Sequence, residues 1–307
     1  MSRPAPPPAL PTGADASVVS RPVVLCADDY ALSEGVSEAI LHLARADRLS
    51  AISCMTAGPR WPELARRLDR IEGRCDIGLH LTLTDQAPIG RLPRLAPEGR
   101  LPRLGRLFAQ AFTGRLDAGE VADELARQWD AFTAARGRTP DFVDGHQHVH
   151  LLPVVRDGVL DLMRRGANGR RPYLRVCHEP PARVLARGVA AGKSLFLGAL
   201  SQPLRRAAAA MAIPSNDSFR GVHAFDPRVD YATLFPRFLA GAASRPLIMC
   251  HPGFVDATLR SLDPVTDARR REYDYFASER FPADLRAAGC HLVRFAEFAA
   301  TASRHPG

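Results

Sequence analysis

Asp141-Phe142-Val143-Asp144-Gly145-His146-Gln147-His148-Val149-His150 is a short apolar run that opens into three histidines at alternate positions. Side chains of an extended segment alternate between faces, so the strand-like Phe142-Val143 predicts that His146, His148 and His150 point the same way. A single histidine is most often a hydrogen-bonded core or surface residue. Three within five residues, in a chain of 307 with ten in all, point to a metal if further ligands arrive from elsewhere.

The flanking sequence is helical. Val121, Leu125, Trp129 and Phe132 mark a long amphipathic helix before the histidines, and Pro153 to Arg165 reads as the helix after them. Toward the N-terminus, Pro22-Val23-Val24-Leu25-Cys26-Ala27 has the continuous apolar pattern of a strand buried on both faces, and it ends in Asp28-Asp29-Tyr30. Ser33 then reads as an N-cap, with Val36, Ile40 and Leu43 at helical spacing. Leu49 to Met55 repeats the strand pattern, Trp61-Pro62-Glu63-Leu64 starts a second helix, and Asp76 to Thr82 is a strand that ends near His80.

Residues Ala87 to Arg106, rich in Pro, Gly and Arg, predict a loop over one end of the fold, a lid or substrate rim. Tyr173 to Val176 is a fifth strand. The alanine-rich stretch 179–214 predicts a helical insertion broken at Pro203, with no identifiable chemistry, and Asn216 to Gly221 reads as loop. Tyr231, Leu234, Phe235, Phe238 and Leu239 form a core-facing helical stripe; Pro246 to Cys250 is a strand ending at His251, and His291-Leu292-Val293 is the last strand.

Seven strand-like runs alternating with helices predict an α/β, single-domain (β/α) barrel, irregular, with about seven parallel strands over residues 21–300. Residues 1–20 read as a disordered, proline-bearing N-terminal tail and 301–307 as a C-terminal tail. Asp28, Asp29, His80, His146 and His251 come from four runs, each at the C-terminal end of its strand, the end where barrels of this class assemble active sites.

Composition narrows the function. No segment approaches the roughly 18 uninterrupted apolar residues of a membrane span. Six cysteines scattered singly, with no C-x-x-C, fit reduced, buried thiols and a cytoplasmic location. The net charge of +8 is spread along the chain, almost wholly as arginine with Lys193 the only lysine, and no aromatic-interleaved basic stripe is present, so nucleic acid is not an expected partner. One carboxylate and two imidazoles make a first shell for a divalent ion, which lowers the pKa of a bound water. A second carboxylate then serves as general base and a histidine opposite as general acid for a leaving amine. If strand geometry persists, Asp28 and Asp29 point in different directions, so one can hold the ion while the other meets the water; an Asp-Asp pair capping the next helix is the alternative.

Ala27-Asp28-Asp29-Tyr30-Ala31-Leu32-Ser33, Gly78-Leu79-His80-Leu81-Thr82-Leu83-Thr84, Asp144 to His150, and Cys250-His251-Pro252-Gly253 occur in an order that resembles the YdjC family of carbohydrate deacetylases, which includes chitooligosaccharide and hopanoid-associated members. The resemblance spans Val23 to about Phe298 and implies a β/α barrel that hydrolyses the N-acetyl group of an amino sugar with a divalent metal, magnesium or zinc. By position it implies Asp29, His80 and His146 as ligands, Asp28 as base and His251 as acid, with His148, His150, Asp217 and Phe219 touching the sugar. The chain departs from the family pattern at Cys26, Tyr30, Ala31 and Gln147, none of them an implied ligand. A metal-dependent hydrolase of another amide or ester, and a non-catalytic carbohydrate-binding protein, stand as alternatives. Sugar length and oligomeric state, a homodimer included, stay open.

Overall fold

The computed structural model describes residues 20–165, 171–226 and 228–302. Of the two expected tails, residues 1–19 and 303–307 lie outside the described residues. Eight strands carry the fold: β1 (Arg21–Tyr30), β2 (Ala51–Cys54), β3 (Asp76–Leu81), β4 (Phe142–Gly145), β5 (Tyr173–Leu174), β6 (Ser218–Arg220), β7 (Pro246–Cys250) and β8 (Cys290–Leu292). Their order is β5-β4-β3-β2-β1-β7-β6, with β8 on the first residues of β1, and every ladder is parallel. Parallel neighbours need crossover connections, which the intervening helices provide. Val23 to Ala27 at the centre of the sheet are fully buried, which accounts for their unbroken apolar run.

The sheet curls until its ends meet. One parallel bridge joins Leu174 to Ser215, and the Phe219 N–H donates to the His178 carbonyl at 2.9 Å. The strand β6 is absent from the sequence reading because three residues, one of them Arg220, carry no period-2 or apolar signal.

Three local expectations need correction. First, β4 stops at Gly145 and the chain turns tightly over His146–Leu151, with Gln147 (φ 51°) and His148 (φ 61°) in the left-handed region, so the three histidines do not line one face of a strand. Second, the helix Ala191–Ala210 runs through Pro203. Proline removes one internal hydrogen bond, but Leu197, Ser201, Leu204 and Ala208 bury a continuous stripe that holds the helix together on both sides of it. Third, the segment expected as loop to Arg106 is helical from Leu104, in Leu104–Phe112.

Candidate active site

The site begins with a bulge in β1. The pairing of β1 with β2 shifts register between Ala27 and Tyr30, and Asp29 takes φ 68°. Aspartate tolerates this conformation better than most residues, and strain of this kind concentrates where a side chain must be aimed. The bulge sends the two carboxylates apart, so the divergence expected of simple strand alternation is achieved by other means.

Asp29 faces the β3 and β4 ends. Its Oδ1 lies 2.8 Å from His146 Nδ1 and 3.2 Å from His80 Nε2, and its Oδ2 accepts from Arg269 at 2.6 Å. One ligand atom from each of Asp29, His80 and His146 falls within 4.8 Å of the others. Behind His80, its Nδ1 meets Asp144 Oδ1 at 2.6 Å, and the Ser53 hydroxyl donates to the same carboxylate oxygen at 2.5 Å. That carboxylate holds the ring from its Nδ1 side and leaves Nε2 facing Asp29, the arrangement that orients a ligating histidine. The donor set of one carboxylate and two imidazoles fits a divalent ion of zinc type better than magnesium, which prefers oxygen.

Electrostatics agree with a cation at this place. Burial opposes charge on His80, yet Asp144, with hydrogen bonds to Asp144 and Asp29, pushes its pKa up to about 10. Burial likewise opposes charge on Asp29, and the Arg269 guanidinium followed by His146 holds its carboxyl well below the usual range.

Asp28 lines the same cavity but has a different partner. Both of its oxygens accept from Arg175, at 2.6 Å each, and the same guanidinium lies 2.6 Å from Asp144 Oδ2 and 3.0 Å from Cys26 Sγ. Cys26, Asp28 and Asp144 also lie close enough to hold a metal. Arg175, fully buried among them, already supplies the positive charge. His251 follows β7; its backbone N–H donates to Glu272 at 2.6 Å, while the other Glu272 oxygen meets His223 Nε2 at 2.9 Å. The buried His251 Nδ1 has no hydrogen-bond partner among the described residues. Burial lowers the His251 pKa, against the opposing pull of Glu272, Asp29 and Asp28.

Asp28, Asp29, His80, His146, His148 and His251 all line one cavity of about 400 Å³ at the C-terminal ends of the strands. Its far wall is apolar and comes from two segments outside the sheet: Leu104 and Phe108, and Phe196, Leu197 and Leu200 of the alanine-rich insertion. The rim expected of residues 87–106 thus meets the cavity through Leu104, at the start of a helix.

Three expected substrate contacts are not brought there. His150 is fully buried, its Nε2 3.2 Å from the Arg175 carbonyl, because the turn after Gly145 folds it under the strand end. Phe219 is 3% exposed and packs edge-on against His148 with ring centroids 5.6 Å apart, so it supports a cavity residue without lining the cavity. Asp217 stands before β6 at the N-terminal end of the barrel, where its carboxylate accepts from the Arg245 N–H at 2.9 Å. Conversely, sequence reasoning missed Arg175, Arg269, Asp144, Glu272 and Lys193. Asp144 was within the quoted stretch and Arg175 interrupts an apolar strand end, both usable signals. Arg269 and Glu272 sit in an ordinary charged helix, Asp267–Ala277, and carry none.

The fold and the site together define a parallel α/β barrel with an Asp-His-His cluster at the C-terminal ends of its strands. The chain belongs to the YdjC-like protein family, whose profile matches residues 22–287. It is similar to a chitooligosaccharide deacetylase of Serratia marcescens, 28% identical over 77% of this chain and 83% of the relative, and to one of Klebsiella pneumoniae (strain 342), 29% identical over 78% and 85%. A crystal structure from Enterococcus faecalis V583, of a protein proposed to cleave cellobiose phosphate, superposes with a TM-score of 0.69 at 19% identity over 91% of this chain and 98% of that one, a likeness of fold. Among the described residues no helix is long and apolar enough to cross a membrane.

Proposed function

We propose that this protein is a divalent-metal-dependent hydrolase that removes the N-acetyl group from an amino sugar or short N-acetylated oligosaccharide. The observation that carries the reading is the convergence of Asp29, His80 and His146 within 4.8 Å, with Asp28 and His251 on the walls of the same cavity. The two relatives, both chitooligosaccharide deacetylases by name, support the substrate class.

Asp29, His80 and His146 would hold the ion, which supplies Lewis acidity and an activated water. Asp28, on the wall of the same cavity, would take a proton from the attacking water. Arg175 keeps the Asp28 carboxylate in one orientation by binding both of its oxygens. His251, whose pKa burial lowers, would take up a proton from solvent and deliver it to the departing amine, with Glu272, Asp29 and Asp28 offsetting the cost of that charge. A binding protein requires neither a clamped carboxylate nor a histidine poised in this way. The six buried, unpaired cysteines fit the proposed reducing, cytoplasmic location.

The test combines metal analysis of protein purified without chelator with acetate release from a panel of N-acetylated mono- and oligosaccharides. Near-stoichiometric transition metal and acetate from at least one member are expected. Turnover confined to simple esters or to other amides would move the protein to a different hydrolase class.

A further inference from the structure

Among 41 basic residues the chain has one lysine, Lys193, and the helix Ala191–Ala210 places it on the wall of the cavity that holds the Asp-His-His cluster. Its ammonium lies 5.9 Å from the centroid of Phe225 and has no carboxylate partner among the described residues. Phe225 is held in turn. A phenylalanine rarely adopts φ 55°, and here the strained backbone turns the ring into the cavity, against His223 at 4.2 Å and edge-on to His251 at 5.3 Å between centroids. The ammonium therefore stands on the same side of the cavity as the proposed acid, near enough to His148 to contribute to the depression of that imidazole, which burial and then His150 and Arg175 dominate.

A surface lysine kept for solubility would project into water. Lys193 is exposed, yet it also lines the cavity, and desolvation there pulls its pKa below the ordinary lysine value with no compensating acid. A structural cation would be paired, as Arg175, Arg269 and Arg220 are in this molecule. An ammonium offers three rotatable donors and no fixed plane, which suits single oxygen atoms at variable positions better than a guanidinium does. The cavity wall around it is otherwise poor in donors, since Phe196, Leu197, Leu200, Phe225 and Met249 provide none from their side chains.

We infer that Lys193 is a specificity-determining residue, which donates hydrogen bonds to an oxygen of the substrate on the leaving-amine side of the scissile bond. Phe225 is its seat: the ring, itself edge-on to His251, holds the ammonium by a cation–π contact. This rests on the reading of the protein as an amino-sugar deacetylase.

Lys193→Met removes the donors at nearly constant volume and Lys193→Arg keeps a cation. With a substrate that the wild type turns over, Lys193→Met is expected to raise KM about 10-fold or more, equivalent to the loss of a hydrogen bond to a charged donor, with kcat within about threefold and metal content unchanged. Lys193→Arg should recover part of that loss. Because the chain has one lysine, an amine-directed reagent followed by peptide mapping reads this side chain alone apart from the N-terminus, and the same sugar should protect it. An unchanged KM in Lys193→Met, a fall in kcat alone, or labelling indifferent to the sugar overturns the inference. If the wild type releases acetate from no sugar in the panel, it is the deacetylase reading that fails, and the two failures are separate.

Discussion

The two adjacent aspartates show how one backbone bulge gives neighbouring residues of the same type different partners, and in the proposed reading different roles. Asp28→Asn preserves shape but cannot accept a proton, so turnover should fall about 10²- to 10⁴-fold with metal content intact. Asp29→Asn should instead weaken metal binding, with part of the activity recovered in excess ion; metal analysis of both proteins checks the assignment, and the opposite pattern would reverse the roles. Asp144 touches neither ion nor substrate in this reading, yet it sets the His80 ring through a 2.6 Å hydrogen bond. Asp144→Asn should therefore cost about 10- to 100-fold in metal affinity, measurable by titration of the apoprotein, while leaving the ligand set in place. Asp28, Asp29, His80, His146 and His251 were all legible because each follows an apolar strand. The buried arginines that restrain the carboxylates were harder to find, since arginine is the commonest charged residue of this chain: Arg175 is marked only by its place at an apolar strand end, and Arg269 by nothing local.

Elements were legible in proportion to their length and periodicity. The long parallel strands and the helix Ala118–Arg136 announce themselves, whereas β5 and β6, two and three residues long, are defined by the ladders they join and carry little local signal. The turn after β4 was misread because alternate histidines mimic strand alternation, and nothing local reveals that Gln147 and His148 go left-handed. Tight packing between β6 and β7 supplies a test at this level. Gly221, with φ 95°, follows β6, and a Cβ there would overlap the Met249 carbonyl. Gly221→Ala should destabilise the protein by about 2 kcal/mol or more, seen as a Tm lowered by several degrees, and should also reduce activity because Met249 lines the cavity. An unchanged Tm would mean that the two strands part easily.

The molecule as a whole keeps several carboxylates ionised by burying them beside positive partners. Asp144 is held below the ordinary carboxylate range, where Arg175 and His80 outweigh the effect of burial, and Glu272 is lowered by His223 and His251 against burial. Depressed folded-state values give stability that is present above the unfolded carboxyl values near 4 and is lost as pH falls through the folded ones. Thermal stability should therefore drop steeply below about pH 4, and Glu272→Gln should flatten that drop while lowering Tm at neutral pH, as followed by circular dichroism across a pH series. The barrel class was legible from the alternation of strands and helices, but its closure was not, since it depends on one bridge at Leu174–Ser215 and on irregular hydrogen bonds, such as those of the Asn216 side chain to the Val176 backbone, in place of a regular ladder. Elsewhere every neighbouring pair is laced by a ladder of two or more registered residues, so this line is the seam of the barrel. The segment that carries Lys193 and the apolar wall is spliced into it. Amides bordering the seam should exchange with deuterium sooner than those of β1 or β7.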